Sequence, residues 1–140
     1  MLYVVYFHIG ETMKTLNQQN QAFQALSDPT RLRMVRTLKI AGKEICQCEF
    51  VDILETSPAN VSRHAKVLLH AGLISERKEG KWIYYDLIER HSEILKVVVQ
   101  GKDAVFAGDD KRLRERLSLR CRGKCLIGVQ KKALKGGDRK

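Results

Sequence analysis

Apolar residues return at helical spacing along the first seventy positions, then alternate, then return to helical spacing. Leu16, Ala22, Phe23 and Leu26 form a stripe that predicts a helix over 12–26. "SDPTR" interrupts it: Ser27 or Asp28 suits a helix cap and Pro29 suits a first helical position. Leu32, Val35 and Leu38 carry the next helix inward as far as Gly42. A short helix is expected from about Glu44 to Leu54. "ETSPAN" is a turn with a second cap, Thr56 or Ser57, before Pro58. The helix it opens buries Val61, Ala65, Leu68 and Leu69 and stops at Gly72. The period then shortens to two. "LISERKEGKWIYYDL" is a pair of short runs around Glu79-Gly80-Lys81, rich in β-favouring Trp82, Ile83, Tyr84 and Tyr85, and predicts a hairpin. Helical spacing resumes over 92–100, capped by Ser92, and again in "AGDDKRLRERLSLR", where Leu113 and Leu117 lie one turn apart.

The order helix, tight turn, helix, hairpin predicts a mainly α fold with a small β-hairpin, a winged helix-turn-helix. The chain's 140 residues suffice for one domain. Residues 13–100 carry that domain, 101–128 form a C-terminal extension, and 129–140 form a basic tail expected to be disordered. The apolar leader 1–12 reads as an added strand or as sequence upstream of a start at Met13. It lacks the basic n-region and cleavage site of a secretory signal and is too short to span a membrane, so the expected location is the cytoplasm, without a membrane partner.

Charge sharpens the picture. A net charge of +10 points to a polyanionic partner, most simply double-stranded DNA. The helix after "ETSPAN" carries Asn60, Ser62, Arg63, His64 and Lys66 beside its buried positions, with Ser57 at its start. Such side chains read base edges or hold phosphates when a helix enters the major groove. Arg77, Lys78 and Lys81 on the hairpin suit backbone or minor-groove contact. His70 suits DNA contact or packing, and His91 suits a solvated surface.

Four segments, "FQALSDPTRLRMVRTL", "EICQCEFVDIL", "SPANVSRHAKVLLHAGLI" and "RKEGKWIYYDL", together resemble the ArsR/SmtB family of metal-sensing transcriptional repressors, over about residues 20–88. The resemblance implies a homodimer that leaves its operator when a thiophilic ion binds. The family's arsenic and cadmium sensors carry "ELCVC" or similar before the recognition helix, matched here by Glu44-Ile45-Cys46-Gln47-Cys48. The arsenical pattern has a third cysteine three residues on, where this chain has Val51.

A third ligand must therefore come from "RCRGKC", that is from Cys121 or Cys125, and the preferred arrangement draws it from a partner protomer. Thiolates select soft ions: As(III) or Sb(III) as effector, with Cd, Pb or Zn the alternatives. Arg120, Arg122 and Lys124 flank this pair and favour thiolates. On a continuous helix Cys46 and Cys48 would point roughly 200° apart. Sharing an ion then requires the helix to unwind or begin between them. A thiol–disulfide redox sensor of the same fold is a further alternative. Catalysis is not expected: no cysteine is followed by an arginine at phosphate-loop spacing, and neither a Gly-rich phosphate loop nor a C-x-x-C occurs.

Overall fold

The computed structural model describes residues 15–130; the leader, His8 and residues 131–140 of the tail lie outside them. Helix α1 (Leu16–Leu26) starts at Thr15, whose hydroxyl accepts from the Gln18 amide while the Gln18 side chain accepts from the Thr15 amide. The apolar stripe turns differently from expectation: Ala22 and Ala25 are buried, whereas Leu16 and Phe23 face outward. Only small side chains fit where α1 meets the bundle, and the large ones are left for another surface. Helix α2 (Pro29–Ala41) begins as the sequence predicts, with the Asp28 carboxylate accepting from the Arg31 amide at 3.0 Å and Pro29 in the first turn. Gly42 ends it at φ 66°, a left-handed conformation that costs glycine little.

The next element corrects the expected helix over 44–54. Ile45–Cys46 is a short strand, β1, and helix α3 runs only from Gln47 to Leu54. The strand forms because Ile45 and Cys46 pair antiparallel with Tyr85 and Tyr84. The Glu49 carboxylate then accepts from the Cys46 amide at 2.8 Å and fixes the helix start one residue later. Helix α4 (Pro58–His70) follows, with the Ser57 hydroxyl accepting from the Asn60 amide. Strands β2 (Ile74–Glu79) and β3 (Trp82–Leu87) close through Gly80, giving a three-stranded antiparallel sheet of order β1-β3-β2. Helices α5 (Glu93–Gln100) and α6 (Ala104–Leu117) complete the chain. The result is the winged helix-turn-helix that the alternating periods predict.

One core joins these elements, with Met34, Val35, Leu38, Ile45, Phe50, Ile53, Val61 and Leu68 fully buried. Leu113 of α6 belongs to it, so the extension expected from residue 101 is built into the same core. Polar contacts add to the packing. Arg33 and Arg112 both reach the buried Asp109, and Arg36 pairs with Asp110 while lying over the Phe106 ring. After α6 the chain doubles back over α3. Val129 packs on the core and the Gln130 amide donates to Asp52, so these two residues are ordered parts of the fold rather than of a tail. Among the described residues, no helix is long and apolar enough to cross a membrane.

Candidate functional site

Two surfaces carry the chemistry singled out by the sequence. The first is α4 with the hairpin. Ser57, Arg63 and Lys66 are exposed and Asn60 and Ser62 half-buried, along one side of α4. Asn60 is held by the Thr56 hydroxyl at 2.8 Å and in turn accepts from Arg63. Lys78 and Lys81 are exposed on the hairpin, with the Lys81 ammonium over the Trp82 ring.

Two expected DNA-facing residues sit differently. His64 is buried, its Nδ1 3.3 Å from Arg31 and 3.6 Å from the Asp28 carboxylate, because position 64 falls on the same helix face as Val61, Ala65 and Leu68. Burial pulls its pKa below the ordinary histidine value. Arg77 is exposed, but its guanidinium pairs with Glu44 and lies over the Tyr84 ring. His70 and His91 are exposed.

The second surface is the sulfur cluster. Cys46 ends β1 and caps α3, and Cys48 stands in the first turn of that helix. Because the helix begins between them, the opposed-faces geometry of a continuous helix does not apply. The Cys48 Sγ lies 3.4 Å from that of Cys46 and 3.1 Å from that of Cys125. All three sulfurs lie within 4.8 Å of one another. A thiolate–zinc bond of about 2.3 Å at a tetrahedral angle sets ligand sulfurs about 3.8 Å apart. The trio thus needs only small shifts to face one soft ion.

Cys125 comes from the same chain, not from a partner protomer. A tight turn delivers it: Cys121 and Lys124 bond to each other, with Arg122 and Gly123 at positive φ. The Tyr84 hydroxyl accepts from the Cys125 amide at 3.0 Å. Cys121, at the turn's start, is exposed and outside the trio.

The electrostatics around the trio come from residues the cysteine spacing did not single out. Arg116 is almost wholly buried, pairs with Asp52 at 2.9 Å, and places Nη2 3.7 Å from the sulfurs of both Cys48 and Cys125. The same nitrogen donates to the carbonyls of Ile127 and Gly128, holding the returning segment. Arg120 makes a two-pronged contact with the buried Glu49 at 2.6 and 2.8 Å. A signal for both arginines was present, since Leu113, Arg116, Leu117 and Arg120 follow helical spacing on the inward stripe. Within the trio, hydrogen bonds with Cys125 and then Cys48 hold the Cys46 thiol far below its ordinary range. The same bonds push Cys48 up, and the bond with Cys46 pushes Cys125 up. One thiolate shared by two S–H donors is the resulting state.

Residues 28–76 match the family model described as "Bacterial regulatory protein, arsR family". The chain is 37% identical over 99 residues to a cadmium resistance transcriptional regulatory protein, a CadC homolog, of Staphylococcus aureus, covering 65% of this chain and 81% of that protein. It is 40% identical over 114 residues to the arsenic resistance transcriptional regulator ArsR1 of Pseudomonas putida, covering 76% and 85%. Among solved structures, HlyU from Vibrio cholerae superposes with a TM-score of 0.52 at 25% identity, covering 62% of this chain and 89% of that one.

Proposed function

The chain belongs to the ArsR family of bacterial regulatory proteins, and from that premise we propose that it is a homodimeric repressor released from operator DNA by As(III) or Sb(III) bound to Cys46, Cys48 and Cys125. Its fold and relatives are those of transcriptional regulators, not enzymes. One observation carries the proposal: three sulfurs from a C-x-C and a distant cysteine lie within 4.8 Å, beside a buried guanidinium. A set of three thiolates on one side of an ion suits a pyramidal trivalent centre and excludes hard cations. Relatives named for arsenic and for cadmium resistance both support a soft ion. Ser57, Asn60, Ser62, Arg63, Lys66, Lys78 and Lys81 form the DNA-facing set in this proposal, α4 entering the major groove and the hairpin tip following the backbone. His64 acts behind them as a packing residue. The second copy docks through outward apolar side chains, Leu16 and Phe23 on α1 and Val97 on α5.

The test is an ultraviolet titration of reduced protein with arsenite and then cadmium, following thiolate-to-ion absorption, paired with anisotropy of labelled operator DNA. Wild type saturates with arsenite and releases the DNA. Cys48→Ser binds DNA normally and stays bound; normal release by that variant would sink the proposal. A second reading rests on one distance: the Cys48 and Cys125 sulfurs, 3.1 Å apart, are placed to form a disulfide under oxidation. Peroxide that releases DNA with loss of two hydrogens by mass, in protein unresponsive to arsenite and cadmium, would favour it.

A further inference from the structure

The sulfur cluster has a closed side and an open side. Cys125 and Arg116 close one side. On the other lies a cleft of about 230 Å³ whose wall includes Cys46 and Cys48 but not Cys125. Val51, Trp82, Ile83 and Val129 make most of the remaining wall apolar. A dry apolar cavity of about 150 Å³ holds a benzene ring, so the space exceeds what a bare ion uses. An arsenic atom bonded to three thiolates has no valence left to direct into it.

We propose that the cleft takes the organic substituent of a monosubstituted trivalent arsenical, R–As(OH)₂ with R from methyl to phenyl, while the arsenic bonds Cys46 and Cys48. This rests on the thiol site proposed above and extends its ligand class. The chemistry balances without a co-reactant. Two As–O bonds break and two As–S bonds form. The two thiol protons leave with the hydroxyls as two waters, and arsenic stays trivalent. The third bond of arsenic carries R, which replaces Cys125 as the outer substituent and lies against Trp82, Ile83 and Val129. The position also links occupancy to DNA reading, because the rim includes Pro58, the first residue of α4, and Lys81 at the hairpin tip. A ring lodged there sits between the two elements that grip DNA.

Any close pair of thiols binds phenylarsine oxide, so the decisive readout is the ratio of phenyl to methyl affinity. Full-length reduced protein is titrated with phenylarsine oxide, methylarsonous acid and arsenite, by competition and by release of operator DNA. The expected ratio in wild type is about tenfold in favour of phenyl, from the extra apolar area buried. Ile83→Phe and Val129→Phe, which fill the cleft from two sides, bring the ratio close to one and leave arsenite binding unchanged. Cys125→Ser loses arsenite-driven release and keeps the phenylarsenical response. A ratio near one in wild type, a ratio that survives both filling variants, or loss of phenylarsenical binding in Cys125→Ser each overturns the proposal. If wild type fails to bind arsenite at all, the three-thiol site itself fails; arsenite-driven release without a phenyl preference removes only the cleft.

Discussion

Replacing Arg116 by methionine tests the feature that the cysteine spacing alone does not contain. The guanidinium is 3% exposed and pairs through Nε with an Asp52 side chain that is only 10% exposed. Removing one partner of a buried ion pair costs about 3–5 kcal/mol, because the other charge is left desolvated. Two features reduce that cost. Asp52 keeps the Gln130 amide at 2.9 and 3.0 Å. The buried Nη1 of Arg116 has no hydrogen-bond partner among the described residues, so its own penalty of about 1–3 kcal/mol disappears with it. The net loss expected for Arg116→Met is about 2 kcal/mol, read as a lower urea midpoint at unchanged slope.

Arg116→Met with Asp52→Asn should recover part of that loss, with a coupling of about 1–3 kcal/mol between the two sites. Lost stability alone would be a structural result, so thiol chemistry is the second readout. The cation 3.7 Å from the Cys48 and Cys125 sulfurs favours their thiolates. Without it, the trio should react several-fold more slowly with a neutral disulfide probe at pH 7, under conditions where the fold is intact. A stability change below about 0.5 kcal/mol, the range of ordinary surface substitutions, would refute the argument that this arginine anchors the returning segment. Unchanged thiol reactivity would refute its electrostatic role.

Other outcomes follow from the same geometry. Starting from one ionised and two protonated thiols, cadmium should displace about two protons per site, whereas arsenous acid, whose hydroxyls leave as water, should take up about one. Calorimetry in buffers of different ionisation heat reads the difference, and equal proton counts for the two ligands would contradict the shared-thiolate state. His64 favours its neutral form in the fold, so the unfolded chain binds the proton more readily. Stability should therefore fall as pH drops below 6.5, and His64→Gln should flatten urea midpoints in that range; an unchanged slope would remove His64 as the cause. Arg63→Ala should weaken binding to the specific operator much more than to bulk DNA in anisotropy at fixed salt, and equal losses would make Arg63 a phosphate contact only.

The sequence makes the DNA-reading half of the molecule legible because it is built from local signals. Asp28-Pro29, Ser57-Pro58, Gly42 and Gly80 each fix an element boundary through their own backbone chemistry, and all four act where expected. The metal half depends on contacts that no local signal carries. Cys46 is in a strand only because Tyr84 and Tyr85, almost forty residues on, offer an edge to pair with. Cys125 reaches Cys48 only because Arg116 and Asp52 tie the chain down after α6. His64 was misjudged for a simpler reason: a polar residue on a basic helix reads as outward, and its true side depends on which face of α4 meets α2.

These contacts also change how an ion would act on DNA binding. If the cysteines sat on one helix, ion–thiolate bonds would have to unwind it, and the distortion would be the signal. Here α3 already begins between Cys46 and Cys48, so binding requires little local unfolding. The coupling must then run through the elements the ligands belong to. Cys46 is hydrogen-bonded into β3 of the wing, Cys48 stands in the helix that leads through a short turn into α4, and Cys125 hangs from the Tyr84 hydroxyl on the same wing strand. An ion drawing the three sulfurs to equal distances pulls wing and reading helix toward a single point. A ligand shifts an equilibrium only by its differential affinity for the two states. The state that grips DNA must therefore be one in which wing and α4 stand farther apart, or at another angle, than the filled site allows. Fixing the wing to α3 by an engineered crosslink should then weaken operator binding without any ion, and unchanged binding by the crosslinked protein would refute this route.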